Sequence, residues 1–369
     1  MTSLFDPAQF GDLALANRVV MAPLTRNRAP GQMPTPLMAA YYTQRASAGL
    51  LITEATPISP TAHGYADTPG IHTPAQAAAW RPITDAVHAA GGRIVVQLWH
   101  VGRVSHASVL PPGEVPVSST ARPVGSARTL IHLPDGTLGR AECTPPRALR
   151  TEELPGIAAD YAHAARLAME AGFDGVEIHA ANGYLLEQFM RASINDRSDA
   201  YGGSIAGRTR LVCEVMSAVA AAIGAGRTGI RVSPVTSPKA EGETDADVLE
   251  TYRTVAAHAG RLGLAFMEVV EGMTGGARDH AAFDYATLKA AFGGPWIVNN
   301  GYTRAMALDA VARGAADAVA FGRPFIANPD LVRRLRDDLP WADYDRATCY
   351  GGGAEGYTLY PAHAETATA

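Results

Sequence analysis

His179, Asn182 and Tyr184 fall within six positions, directly after the apolar run from Asp174 to Ile178. Two neutral hydrogen-bond donors and a phenol therefore leave the end of one strand together. Such a set is suited to holding a carbonyl or nitro oxygen while a proton is delivered nearby. Singly, each has a plainer reading as a core histidine, a helix cap and a packed ring. Their convergence favours function. No other histidine or carboxylate stands at ligand spacing, so a metal site is not expected.

Other residues could supply an electron source. Asn299-Asn300-Gly301 and Phe321-Gly322-Arg323-Pro324 both follow apolar runs. Glycines there admit a phosphate to the backbone, and Arg323 adds a charge-assisted bond. Arg231 interrupts the apolar stretch Ile230-Arg231-Val232. Buried, it needs an anion or a ring that becomes anionic on reduction; the alternative is an ion pair with Glu54, Glu177 or Glu268. Gln97 can meet the amide edge of a heterocycle or be a satisfied core glutamine. Glu177 and Glu268 raise a different class, a barrel glycosidase with paired carboxylates. That reading leaves Arg231 and the two glycine loops unexplained.

The elements that must position these residues alternate. Apolar runs at 19–22, 49–53, 93–98, 175–178, 229–232, 264–269, 296–298 and 318–321 read as strands. Helical patterns lie between them at 35–48, 74–90, 154–171, 204–223, 246–262, 284–292 and 303–313, with a last one beginning near Pro329. Thr303 can cap a helix start, and Gly172, Gly263 and Gly314 follow helix ends. Eight β-then-α units without a composition break predict an α/β fold: one (β/α)8 TIM barrel spanning 1–369, rather than a doubly wound sheet. Residues before Arg18 form an N-terminal cap. The Pro- and Gly-rich stretch 99–147, after strand three, is a long loop insertion of the kind that serves as a lid. Residues 340–369 form a C-terminal extension. Active-site residues of a barrel sit at the C-terminal strand ends. That rule selects Ala22, Pro23, Thr25, Glu54, Ala55, Gln97, Trp99, His179, Asn182, Tyr184, Arg231, Asn299, Asn300, Gly301, Gly322 and Arg323.

Composition narrows the classes. A net charge of −5 without a basic run argues against nucleic acid. No apolar run is long enough to span a membrane, and no signal peptide is visible. Cys143, Cys213 and Cys349 are widely spaced, which argues against disulfides, zinc and iron–sulfur clusters and for a cytoplasmic protein. Gly351-Gly352-Gly353-Ala354-Glu355-Gly356 matches G-x-G-x-x-G, but only thirteen residues follow it, too few for a βαβ unit. It is better read as a flexible return of the chain across the barrel mouth.

In one order along this pattern stand Asn17-Arg18-Val19-Val20-Met21-Ala22-Pro23-Leu24-Thr25-Arg26, Tyr42-Thr43-Gln44-Arg45-Ala46-Ser47-Ala48-Gly49-Leu50 and Gln97-Leu98-Trp99-His100-Val101-Gly102-Arg103. They are followed by His179-Ala180-Ala181-Asn182-Gly183-Tyr184-Leu185-Leu186, Asn195-Asp196-Arg197, Tyr201-Gly202-Gly203-Ser204, Phe321-Gly322-Arg323 and Tyr350-Gly351-Gly352-Gly353-Ala354-Glu355-Gly356-Tyr357. Together these resemble the old yellow enzymes, flavin-dependent ene-reductases, over almost the whole chain. The resemblance implies non-covalent FMN at the barrel mouth, held by Ala22, Pro23, Thr25, Ala55, Gln97, Arg231, Gly301, Gly322 and Arg323. It implies that Gln97 meets the pyrimidine edge, Thr25 the O4 region, and Arg231 the charge of the reduced ring. Thr25, where some relatives carry cysteine, and Trp99 fit the threonine-type branch. Met273 stands where some relatives carry a tryptophan near the substrate.

The implied reaction is reduction of an activated C=C bond in an enone, enal or nitroalkene. NADPH or NADH reduces the flavin and leaves, giving ping-pong kinetics. His179 and Asn182 hold the substrate oxygen, flavin N5 delivers hydride, and Tyr184 delivers the proton. Tyr65, Trp99 and Tyr350 line the substrate side. Nitroesters, nitroaromatics and quinones suit the same site. Partners are expected to be small molecules, with the chain a monomer or homodimer. A flavin-free phosphate-binding barrel, such as an aldolase or isomerase, would need a Schiff-base lysine or a carboxylate base, and Lys239 and Lys289 fall outside the strands.

Overall fold

The structure, a computed structural model, describes residues 2–235, 245–274, 276–278 and 282–363. Lys239 lies outside the described residues. Eight strands close into a barrel: β1 (Val19–Met21), β2 (Leu50–Pro57), β3 (Ile94–Trp99), β4 (Gly175–Ala180), β5 (Thr228–Val232), β6 (Phe266–Val270), β7 (Trp296–Asn299) and β8 (Ala318–Phe321). Every neighbouring pair is parallel, and β8 pairs back onto β1. Closure rules out the doubly wound alternative. These Val-, Ile- and Ala-rich segments are buried on both faces, as parallel strands between helices and a filled interior must be.

The period of two sorts their side chains. Val19, Met21, Val96, Ile178, Ile230, Met267 and Val319 pack outward against the helices. Val20, Ala22, Leu50, Ile52, Val95, Phe266, Ile297, Ala318 and Ala320 fill the interior. Gly229 makes room there: a Cβ would lie 2.2 Å from the Phe266 ring. The N-terminal cap is a small hairpin, Ala8–Phe10 against Leu13–Leu15, whose Phe10, Leu13 and Leu15 plug the lower end of that interior core. Above the apolar layer the inward positions turn polar, with Gln97, Glu177, Arg231, Glu268 and Asn299.

Three expected boundaries shift for local reasons. Strand two runs on to Pro57, because a register shift between Ile52 and Ala55 lets the chain continue beside β3. The helix expected over 35–48 ends at Thr43, where the next backbone bonds tighten to Arg45 N–H→Tyr42 O and Ala46 N–H→Thr43 O. The helix expected over 204–223 divides into Ile205–Arg208 and Arg210–Ile223; the Thr209 hydroxyl between them donates back to Ile205 O (2.8 Å).

The insertion after β3 contains an antiparallel hairpin, Arg128–His132 with Leu138–Glu142. It is tied to the loop carrying Tyr65: Ala66 N–H donates to Leu130 O (2.8 Å), Thr129 hydroxyl to Gly64 O, and His132 pairs with Asp67 (3.0 Å). The glycine-rich return at 351–356 is not a loose tail but a strap. Arg26 donates to Cys349 O (2.9 Å) and Gly356 O (2.6 Å), and Arg28 to Gly353 O (3.0 Å) and Thr348 O (2.9 Å). Tyr357 stacks on Tyr41 at 4.0 Å. Gly356 has φ +64°, and a Cβ there would run into Thr348 Oγ1.

Candidate active site

β4 delivers His179, and the chain then turns through Asn182 (φ +60°) and Gly183 (φ +76°) into a short helix, Leu185–Met190. Asn tolerates that left-handed backbone better than most residues. The turn is held from below by Glu187, which is fully buried. Its carboxylate accepts from Gly183 N–H (2.7 Å), Ser233 hydroxyl (3.0 Å), Tyr252 hydroxyl (2.9 Å) and Arg191 Nε (2.9 Å). Ser233 Oγ in turn accepts from Asn182 N–H (2.8 Å). Glu187 is the third residue after Tyr184, where a glutamate reaches back to the first turn of a helix.

This scaffold fixes donor directions. The His179 Nδ1 accepts from Ala181 N–H at 3.3 Å, which places the ring proton on Nε2. Asn182 Oδ1 accepts from the Thr274 hydroxyl at 2.7 Å, which commits the other amide atom, Nδ2, to donating elsewhere. Tyr184 meets Tyr65 hydroxyl to hydroxyl at 3.2 Å. Trp99 stacks on Tyr65 (5.5 Å between centroids) and stands edge-on to Tyr184 (4.9 Å); His179 stands edge-on to Tyr184 at 5.1 Å.

Two cavities share Pro23, Leu24, Asn182, Arg323 and Tyr344 as walls and so form one trough across the mouth. One end, about 420 Å³, is lined by Thr25, Tyr65, Trp99, Asn182, Tyr184 and Tyr350. The other, about 530 Å³, is lined by Arg231, Asn299, Asn300, Gly301, Gly322 and Arg323. Positive φ at Asn300 (+100°) and Gly301 (+67°) bends this loop sharply off β7. A flat ring carrying a phosphate tail fits such a trough, with the tail at the glycine and arginine end and the ring over Pro23 and Thr25. The residues present therefore suit FMN.

Several expected site residues stand back from the trough. His179 is 3% exposed and packs behind Tyr184. Ala22 belongs to the interior core, and Ala55 packs with Trp99 and Tyr184. Gln97 is buried, its Nε2 donating to Glu177 Oε2 at 2.6 Å. Glu54 lies between Arg26 N–H (3.4 Å) and Tyr42 hydroxyl (3.4 Å), and burial raises its carboxyl to about 7. Arg231 does both things the sequence allowed: it lines the trough, and its Nε lies 3.2 Å from Glu268 Oε1, within ion-pair distance but without hydrogen-bond alignment.

Sequence reasoning missed Thr274, Ser233, Glu187 and Tyr344. It also missed Arg128, Leu130 and Arg140 of the hairpin, which line the ring end of the trough. Met273 stands where a substrate contact is implied, but its neighbour Thr274 reaches the site. Met273 instead pairs its backbone with Ala277 O and Asn300 Nδ2. Of these, only Glu187 left a signal, its spacing from Tyr184.

Residues 3–341 match the model of the NADH:flavin oxidoreductase / NADH oxidase family. The chain is 44% identical to 12-oxophytodienoate reductase 2 of Arabidopsis thaliana over 368 residues, covering 99% of this chain and 96% of that protein. It is 47% identical to 12-oxophytodienoate reductase 1 of Oryza sativa subsp. japonica over 366 residues, covering 97% and 92%. Among solved structures, morphinone reductase in complex with tetrahydroNAD superposes with a TM-score of 0.94 at 46% identity, covering 99% of each chain. The old yellow enzyme homologue from Zymomonas mobilis superposes at 0.91 with 44% identity, covering 98% of this chain and 99% of that one. A barrel whose mouth suits FMN, matched end to end by these relatives, belongs to the NADH:flavin oxidoreductase / NADH oxidase family and is an FMN-dependent oxidoreductase of the old yellow enzyme type.

Proposed function

We propose that this protein is an ene-reductase. It reduces a C=C bond conjugated to a carbonyl or nitro group, taking electrons from NADPH or NADH in a ping-pong cycle. One observation carries the reading: the donor directions of His179 and Asn182 are set, at 3.3 and 2.7 Å, beside a phenol on the same turn. The 12-oxophytodienoate and morphinone reductases carry oxo compounds in their names, in keeping with a substrate oxygen at this place.

Bound FMN supplies the hydride-transfer chemistry. Arg323 and the backbone at Gly301 and Gly322 would hold its phosphate, and Pro23 and Thr25 would shape the ring site, with Ala22 and Ala55 packed behind it. Gln97, whose Nε2 is committed to Glu177, would have its amide oxygen free for a ring N–H, and Arg231 would offset negative charge at the ring. His179 Nε2–H and Asn182 Nδ2–H then donate to the substrate oxygen and stabilise the negative charge that develops on it. Tyr184 passes its phenolic proton to the α-carbon, and Tyr65, at 3.2 Å, is positioned to restore it. Trp99 and Tyr350 bound the substrate. Reductant and substrate occupy the ring end in turn, so a single cavity serves both halves of the cycle. We place this activity in one catalytic unit of residues 1–369, acting on small molecules in the cytoplasm as a monomer or homodimer. No described helix is long and apolar enough to cross a membrane.

Tyr184→Phe tests the assignment. General-acid steps contribute about 10²–10⁴ in rate. The variant is expected to keep flavin bleaching by NADPH under anaerobic conditions and to lose at least about a hundredfold in cyclohexenone turnover. Wild-type turnover in the variant would remove Tyr184 as proton donor. A purified protein that takes up no FMN would overturn the reading as a whole.

A further inference from the structure

Two carboxylates lie in the barrel interior, where the reaction above does not use them. Glu177 on β4 and Glu268 on β6 are both fully buried. One oxygen of each is occupied: Gln97 Nε2 donates to Glu177 Oε2 (2.6 Å), and Asn299 Nδ2 donates to Glu268 Oε1 (2.5 Å). The other two oxygens, Glu177 Oε1 and Glu268 Oε2, are buried without a hydrogen-bond donor. Two buried carboxylate oxygens left over in one cluster are what a proton between them would satisfy. Arg231 on β5 is the cation facing the pair, with its Nε 3.2 Å from Glu268 Oε1. The inward residues of β1, β2 and β8, among them Ala22, Ile52 and Ala320, carry no charge, and Glu54 is turned away toward Arg26 and Tyr42.

We propose that Glu177 and Glu268 hold one proton between them, and that Glu268, the carboxylate paired with Arg231, sets how much of the Arg231 charge reaches the cofactor ring. Two carboxylates, one proton and one guanidinium make a neutral cluster. The approach of Arg231 to Glu268 (3.2 Å) makes Glu268 its counter-ion and leaves the proton chiefly to Glu177, whose carboxyl is pushed well above the ordinary carboxylate range by burial and after it by the charge of Glu268. The two glutamates thus differ in role. Glu177 is already neutral, so replacing it by an amide changes no charge. Glu268 is the counter-ion of Arg231, so replacing it uncovers a positive charge beside the ring. Glu268 acts through Arg231 and is a positioning residue.

The proposal rests on FMN lying over Arg231, and its test separates the two. The first measurement needs no cofactor. The infrared difference between apo wild type and Glu177→Gln at neutral pH is expected to contain a protonated-carboxyl C=O band. The second is the midpoint potential of bound FMN. Glu268→Gln is expected to favour the reduced cofactor about tenfold or more, an upward shift of about 30 mV or more for a two-electron couple. Glu177→Gln is expected to leave the potential in place. Absence of the band overturns the shared proton. An unmoved or lowered potential in Glu268→Gln, or equal rises in both variants, overturns the tuning role. If wild type takes up no FMN, the cofactor reading fails and the tuning role with it, while the infrared result still decides the proton. Both substitutions preserve shape, and a thermal melt confirms that each variant is folded before its potential is read.

Discussion

Replacing Thr274 by valine removes one hydroxyl from the trough and keeps the side chain's volume. In the wild type that hydroxyl donates to Asn182 Oδ1 at 2.7 Å and so holds the amide with Nδ2 toward the substrate. The loop that carries it is itself held, because Asn300 Nδ2 donates to Glu271 O (2.6 Å) and Met273 O (3.0 Å). Without the hydroxyl the amide is free to turn, and in the turned state Oδ1 confronts the substrate oxygen with repulsion instead of a bond. A neutral hydrogen bond of this kind is worth about 0.5–1.5 kcal/mol, so the ratio of donating to turned amide falls about twofold to tenfold. Apparent affinity follows the competent fraction, which falls from most of the population to about half, a change of up to about twofold. Steady-state kinetics with cyclohexenone should therefore show KM rising by up to about twofold in Thr274→Val, with a smaller change in kcat. Thr274→Ser, which keeps the donor, should return KM most of the way to wild type. Wild-type KM in the valine variant, or a serine variant as impaired as valine, would refute the claim that this hydroxyl orients Asn182.

Glu187→Gln should lower stability by about 3 kcal/mol or more, because Arg191 and the Gly183 turn lose a buried anion; a thermal melt reads this, and a melting temperature equal to wild type would contradict the network described. His63 and His100 are buried, and burial lowers each to about 3. Their folded-state values lie below the unfolded one near 6.5, so the stability they contribute is present above that pH and drains away as pH falls toward 3. Melting temperature should decline across that window, and His100→Gln should flatten the decline; an unchanged slope would exclude His100 as a source.

What was legible in the sequence was what is local. The triad at His179, Asn182 and Tyr184 sits on one strand end and one turn, so spacing alone revealed it. All eight strands could be found because each alternates or runs apolar within five or six residues. The missed features join distant segments. Thr274 meets Asn182 across 92 positions, and Ser233 meets Glu187 across 46. Gln97 was assigned to the cofactor, and its bond to Glu177 depends on β3 lying beside β4 in register. Arg231 could be narrowed to three carboxylates but not to Glu268, because the choice depends on β6 lying next to β5. The β2 extension was hidden by a bulge, which breaks the period that strand reading relies on. The segment 351–356 reads in the sequence as a flexible return, because the arginines that tie it down lie more than 300 residues upstream.

Those arginine contacts also bear on the order of assembly. Arg26 and Arg28 follow the first barrel strand, and their carbonyl partners at 348–356 are separated from them by 320 to 330 positions. A chain emerging from the ribosome at about 5–20 residues per second presents these guanidinium groups long before their acceptors exist. The wall that contains Thr25 and Tyr350 is therefore among the last parts to close, and closing so large a loop is slow relative to local pairing. A nascent chain halted before residue 348 would carry all eight barrel strands, yet it would lack the final stitch that shuts the mouth around its occupant.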